Sequence, residues 1–188
     1  MANHSQKQII REKVAKLKNS LSGEAIIRCS ELICNRLVST DLFNQSTCIA
    51  LYYALGDEVL TSRLIDEWRF KKQIVLPVVA GKDLHFYPYT GNENLKKSDY
   101  GIMEPVGSEL ITPESIDIYI IPGIAFDYNC NRLGRGKGYY DRYLSGIEKP
   151  LIGLCFDFQL VERIPADIHD KKMTMVITEK ATVFLPDI

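Results

Sequence analysis

Short, nearly continuous apolar runs alternate along this chain with segments of helical period. Residues 48–55 (CIALYYAL), 73–80 (QIVLPVVA), 116–126, 151–156 (LIGLCF) and 173–178 (MTMVIT) are apolar at successive positions. A strand with one solvated face alternates apolar and polar residues, whereas a run that is apolar on both faces suits a strand sandwiched between two layers. Residues 84–89 (LHFYPY) do alternate and follow a Gly81-Lys82-Asp83 turn, so they read as a further strand.

Between these runs the period becomes helical. Ile9, Ile10, Val14 and Leu17 recur at spacings of three to four over residues 5–19. Ser22 is a suitable cap for a second helix with Ile26, Ile27, Leu32, Ile33 and Leu37 on its apolar face. Residues 57–72 predict a third helix with Val59, Leu64, Ile65 and Trp68 inward, and residues 138–144 a short fourth. Strands separated by helices imply crossover connections. The expected fold is therefore α/β: one three-layer domain over residues 1–188, Rossmann-like, with a mainly parallel sheet flanked by helices. Ligands in such sheets lie beyond the carboxyl ends of the strands, which directs attention to the loops there.

The charge balance narrows the function. The chain has 188 residues, with 23 Lys and Arg against 24 Asp and Glu, a net charge of −1. No basic excess exists to neutralise a nucleic-acid backbone. No apolar run approaches the roughly 18 residues of a membrane span. The amino-terminal text lacks the apolar core of a secretory leader, so a cytoplasmic protein is expected. The 5 cysteines (Cys29, Cys34, Cys48, Cys130 and Cys155) show no paired spacing and read as reduced, mostly buried thiols. His4, His85 and His169 lack the spacing of a zinc site.

One stretch stands apart. Gly134, Gly136 and Gly138 fall within Arg132-Leu-Gly-Arg-Gly-Lys-Gly-Tyr-Tyr-Asp141, between an apolar strand and a short helix. Glycines let backbone N–H groups close on an anion, and Arg132, Arg135 and Lys137 bring positive charge to the same place. A following helix would add its positive end. The pattern is neither the phosphate loop GxxxxGK[ST] nor the dinucleotide fingerprint GxGxxG. It reads as a polyphosphate cradle or, more plainly, as a solvated basic loop.

The text Pro122-Gly-Ile-Ala-Phe-Asp127 followed by Asn131-Arg-Leu-Gly-Arg-Gly-Lys-Gly-Tyr-Tyr-Asp-Arg-Tyr-Leu144 resembles the signature of the 5-formyltetrahydrofolate cyclo-ligase family, also called methenyltetrahydrofolate synthetases. The resemblance extends over nearly the whole chain, through Lys7 and Arg11, Gly56-Asp-Glu-Val, Gly101-Ile-Met-Glu-Pro105, and Gln159 to Glu179. It implies conversion of 5-formyltetrahydrofolate to 5,10-methenyltetrahydrofolate with ATP and Mg²⁺, through phosphorylation of the formyl oxygen and ring closure by N10. It also implies a fold similar to that of phosphosugar isomerases and CoA-transferases. The partners implied are small molecules only, with no nucleic acid and no membrane, and the protein is expected to be a monomer.

The resemblance further assigns residues. Lys7, Arg11 and the run Arg132, Leu133, Gly134, Arg135, Gly136, Lys137, Gly138, Tyr139 and Tyr140 match ATP-binding positions. Read from the helix alone, Lys7 and Arg11 would be part of a solvated face with Lys13, Lys16 and Lys18. Arg135 to Tyr139 also match positions near the formyl group, and Arg135 and Lys137 are the catalytic candidates, placed to stabilise the transferring phosphoryl charge. Leu55, Glu58 and Leu60 fall where the family contacts the folate. Asp141 and Asp170 match the magnesium carboxylates. Two positions depart from the family pattern. Leu60 stands where an acid precedes Thr61, and Thr174 stands where an acid often follows Met173. Tyr52, Tyr53, Trp68, Phe86 and Tyr100 are aromatic candidates for stacking on the pterin or aminobenzoyl ring, or for the core.

Overall fold

Ser22 begins the second helix as its position predicts: its backbone is extended and its Oγ accepts from the Ala25 amide at 3.2 Å. The computed structural model describes residues 2–98, 101–107, 109–167 and 170–186. In chain order the elements are α1 (Ala2–Lys18), α2 (Gly23–Val38), α3 (Asp41–Gln45), β1 (Cys48–Ala50), α4 (Ser62–Trp68), β2 (Gln73–Ala80), β3 (Asp83–Pro88), β4 (Leu95–Lys97), β5 (Met103–Pro105), β6 (Ile118–Pro122), β7 (Ala125–Asp127), β8 (Arg132–Leu133), α5 (Tyr139–Tyr143), β9 (Leu151–Leu154), β10 (Leu160–Val161), β11 (Met175–Ile177) and β12 (Thr182–Phe184).

The apolar runs assemble into a seven-stranded sheet in the order β12-β11-β9-β6-β1-β2-β3. The five central strands are parallel to one another. The edges β3 and β12 run antiparallel to their neighbours. Side chains alternate between the faces, as strand geometry requires. Ile49, Ile118, Ile120, Ile152 and Met175 pack with Ile33 and Leu37 of α2 and Leu64 and Ile65 of α4. Ala50, Tyr119, Ile121, Leu151 and Val176 face the other way, onto Phe126 and Leu144 with Tyr139, Tyr140 and Tyr143 of α5. This is the α/β architecture expected, with a large mainly parallel sheet between helices.

Close packing dictates one glycine. A Cβ on Gly153 in β9 would lie 2.4 Å from the Phe126 ring, so the ring lies directly on the strand backbone.

Several expected boundaries move, each for a local reason. The run at 48–55 stays in the sheet only to Ala50. Beyond it the chain folds back, with Tyr52 Oη donating to the Val59 carbonyl at 3.1 Å and Thr61 Oγ1 to the Tyr52 carbonyl at 2.5 Å. The expected helix at 57–72 shrinks to α4, because residues 55–58 close a turn of their own. The sequence patterns also passed over β12, the β4–β5 hairpin, and a small sheet in the order β10-β7-β8. The last of these positions the candidate site, because β8 carries Arg132 into the glycine-basic loop.

Candidate active site

Chain order fixes where the site lies. From β1 the chain crosses to β2 on one side of the sheet, and from β6 it crosses to β9 on the other. The loops leaving β1 and β6 therefore diverge at adjacent strands, the switch point at which such sheets bind ligands. The first of these loops holds Leu55 to Leu60, and the second holds the glycine-basic stretch.

The loop after β1 is braced internally. Glu58 is buried, its Oε2 accepts from the Leu55 amide at 3.0 Å, and the Glu58 amide returns a bond to the Leu55 carbonyl at 3.0 Å. Leu60 is tied to α2 through its amide, which donates to Ser30 Oγ at 2.9 Å. The loop after β6 is fixed by Asp127, which is fully buried. Its carboxylate accepts from the amides of Asn129, Asn131 and Ile164 and from Asn131 Nδ2, all within 3.0 Å. Cys130 takes a positive φ of 59° to close this turn. Asp127 with Asn131 was readable in the sequence as a turn signature, yet it was not singled out there.

Arg132 then enters the site from β8. Its Nη2 meets Asp141 Oδ1 at 2.7 Å, Nη1 reaches the Pro122 carbonyl at 3.3 Å, and its guanidinium lies 5.4 Å from the Tyr140 ring centre. Only 5% of its side chain is exposed, and its Nε has no partner among the described residues. Beyond Leu133 the loop bends through positive φ at Gly136 and Gly138. Lys137 is exposed and forms no ion pair among the described residues. Arg135 is held: its Nη2 lies 2.6 Å from Asp57 Oδ1 and 3.2 Å from Glu58 Oε1. Partial burial works against its charge, but the two carboxylates outweigh that and raise its pKa. The Asp57 carboxyl is pushed up by burial and pulled down more strongly by Lys18 and Arg135, so its pKa falls below the usual range.

Helix α1 borders both loops. Lys7 Nζ sits 2.6 Å from Asp167 Oδ2 and 2.7 Å from Asp170 Oδ2, with its charge favoured despite burial. One turn later Arg11 Nε donates to the Gly134 carbonyl at 3.1 Å. Next to this face a cleft of about 540 Å³ opens between Asn3, Gln6, Ile9 and Ile10 on one side and Arg163 and Pro165 on the other.

The structure thus gathers Arg11 and the run from Arg132 to Asp141 with Leu55, Asp57 and Glu58, and it places Lys7 with Asp170 one helical turn away. Asp141 and Asp170 each have one oxygen in an ion pair and one without a hydrogen bond among the described residues. Hard, partly free carboxylate oxygens suit Mg²⁺, which keeps much of its shell as water and phosphate oxygen. Among the described residues no three or more His, Cys, Asp or Glu side chains are grouped so that they could hold a metal ion by themselves. Helix α5 is five residues long, so its end supplies little of the dipole expected from the sequence.

Three of the aromatic candidates belong to packing. Tyr52 and Phe86 are buried, and Trp68 meets the Phe43 ring edge-on at 4.8 Å between ring centres. Tyr53 is half-buried. Tyr100 and His169 lie outside the described residues. Thr174, one of the departures, serves the sheet instead, since its Oγ1 accepts from the Leu151 amide at 3.0 Å and aligns β9.

Known proteins resemble this chain over nearly its whole length. The profile described as the 5-formyltetrahydrofolate cyclo-ligase family matches residues 3–179. A 5-formyltetrahydrofolate cyclo-ligase of Mus musculus is 30% identical over 192 residues, covering 94% of this chain and 95% of its own. The NMR structure of a 5,10-methenyltetrahydrofolate synthetase of Aquifex aeolicus superposes with a TM-score of 0.88 at 37% identity, over 97% of this chain and 94% of that one. A synthetase structure from Mycoplasma pneumoniae, at 24% identity over 92% of this chain and 98% of its own, shares the fold with a TM-score of 0.75. The chain therefore belongs to the 5-formyltetrahydrofolate cyclo-ligase family.

Proposed function

We propose that residues 1–188 act as one ATP- and Mg²⁺-dependent cyclo-ligase domain that closes 5-formyltetrahydrofolate to 5,10-methenyltetrahydrofolate. The relatives' names support the reaction. The observation that carries the reading is the meeting of the two switch-point loops: the glycine-basic loop lies against the Leu55–Glu58 turn through Arg135.

The chemistry needs an activated formyl oxygen. That oxygen attacks the γ-phosphorus of ATP, ADP departs, N10 attacks the activated formyl carbon, and inorganic phosphate leaves as the ring closes. An amide oxygen is a poor leaving group until it is phosphorylated, and N10 is already tethered nearby. What the protein supplies is position and charge. Lys7 and Arg11 on α1 bind the polyphosphate, and the amides from Arg132 to Tyr140 line it. Lys137 and Arg135 stabilise the charge on the transferring phosphoryl group. Leu55, Glu58 and Leu60 border the folate. The acid missing at Leu60 is compensated by Glu58 in the same turn. A magnesium ion held at Asp141 and Asp170 would neutralise phosphate charge and orient the nucleotide.

No helix among the described residues is long and apolar enough to cross a membrane. The five cysteines are free thiols, which suits the reducing cytoplasm. We read the enzyme as a cytoplasmic monomer.

The test is ADP release from ATP with and without 5-formyltetrahydrofolate. Release that requires the folate supports the reading. Folate-independent hydrolysis, or nucleotide binding with no turnover, would leave only a nucleotide-binding protein.

A further inference from the structure

Lys7, Arg11, Val14 and Lys18 follow one another on α1 at spacings of four, three and four, and so share one helix face. Val14 anchors that face, buried among Ala125, Leu133 and Ile164. Lys7 and Arg11 border the nucleotide side. Lys18 was expected to be solvated, yet its side chain is only 8% exposed. It donates to the Asp57 carbonyl at 2.5 Å and lies 3.1 Å from Asp57 Oδ2. A lysine is rarely buried this far without a partner.

The Asp57 carboxylate therefore bridges two cations. Oδ2 faces Lys18, and Oδ1 faces Arg135 at 2.6 Å. Arg135 needs such a tether, because its loop carries positive-φ glycines and a free arginine side chain has much rotamer entropy to lose. Lys18 in turn fixes the turn that bears Asp57, through backbone and side chain together. An unbroken path runs from the Val14 anchor along α1 to Lys18, to Asp57 and to the Arg135 guanidinium.

We infer that Lys18 and Asp57 are positioning residues that aim Arg135 at the transferring phosphoryl group. The inference rests on the role given to Arg135 above. It follows because a displacement of about 1 Å at a catalytic group can cost about a hundredfold in rate. Lys18 and Asp57 do not themselves touch the reactants in this assignment. Lys18, Asp57, Glu58 and Arg135 carry two charges of each sign, so the bridge aims Arg135 without adding net charge beside the polyphosphate.

The two single variants separate aiming from charge. Lys18→Met leaves the cluster more negative and Asp57→Asn leaves it more positive, so a purely electrostatic effect would move them in opposite directions. Positioning predicts that both lower kcat by about tenfold or more with the KM for ATP changed less, and that the double variant is no worse than the poorer single one. Lys18→Arg should recover most of the rate. Amide exchange of residues 134–138, measured without nucleotide, should quicken in Lys18→Met and Asp57→Asn. Losses that multiply in the double variant, opposite shifts in the singles, or Lys18→Met with kcat within about twofold of wild type and unchanged exchange would overturn the inference. If the wild-type protein itself fails to turn over, the functional reading falls, while the exchange data still decide whether the bridge orders the loop.

Discussion

Arg135 and Asp57 lie 78 residues apart in the chain, and their guanidinium and carboxylate meet at 2.6 Å. That contact joins the loop leaving β1 to the loop leaving β6, the two places from which the chain departs in opposite directions across the sheet. In the proposed function folate and nucleotide would meet where these loops touch, with this pair at the centre of the site.

Arg132 and Asp141 form a second ion pair, at 2.7 Å, in which the arginine side chain is almost wholly buried. Arg132→Met should lower stability by about 2–4 kcal/mol, because it strips the half-buried Asp141 and the Pro122 carbonyl of their donor. Arg132→Lys should recover little, since an ammonium lacks the planar fork that reaches both acceptors. Urea midpoints read this directly; a loss under about 0.5 kcal/mol would mean that the pair is not formed in solution.

Asp141→Asn is the sharper probe of the proposed metal role. An amide oxygen can still accept from Arg132, so the fold should persist with a loss of about 1–2 kcal/mol. The Mg²⁺ concentration needed for half-maximal turnover should rise. An unchanged requirement in a folded variant would reassign the ligand.

Gly153→Ala tests the packing of the sheet against Phe126. A Cβ at 2.4 Å from the ring must displace it, at about 1–3 kcal/mol. Adding Phe126→Leu should relieve part of that loss, so the double variant should be more stable than additivity predicts. Strict additivity in thermal or urea unfolding would show that the two positions are not in contact.

How much of this was legible beforehand follows from which interactions are local. The apolar runs fixed the strands in a buried, mainly parallel sheet, because burial on both faces leaves a continuous run such as Leu151–Leu154. Ser22 was readable because a cap acts on residues three positions away. Strand ends were not, since the chain leaves the sheet after Ala50, where Tyr52 and Thr61 bond with each other's segment of loop. The glycine-basic loop was conspicuous by composition, but the partners of its arginines were not. Asp57 and Arg135, or Lys18 and Asp57, are distant in sequence, and no local periodicity announces a long-range ion pair.

Lys7 and Asp57 give opposite pH signatures. The Lys7 pKa is raised above 10.5 because Asp167 and Asp170 outweigh its burial. Its contribution to stability is thus complete below 10.5 and is lost as pH rises through the folded value. The difference between wild type and Lys7→Met should be flat across neutral pH and close only in strong alkali. The Asp57 pKa is lowered below 3.8, so its contribution is complete above that value and is lost as pH falls through the folded one. Unfolding midpoints of Asp57→Asn and wild type should converge only in acid. A difference that already closes at neutral pH would contradict either ion pair.

The thiols should be quiet. Burial pushes Cys34 up to about 12, and Cys48 and Cys130 up to about 11, while Cys155 is fully buried and raised well above its ordinary value. Alkylation of the folded protein near neutral pH should modify Cys29 at most, and all 5 should react after unfolding. Rapid native labelling of Cys48, Cys130 or Cys155 would show that the sheet opens far more readily than its packing implies.

Cyclo-ligase activity is decided by following the absorbance of the methenyl product when the purified protein meets 5-formyltetrahydrofolate, ATP and Mg²⁺, with ADP counted in parallel. One ADP should form for each methenyl group, and turnover should fall by about a hundredfold or more in Lys137→Ala. Product formation without ATP, no product from folded wild-type protein, or a Lys137→Ala variant as fast as wild type would contradict the proposed function.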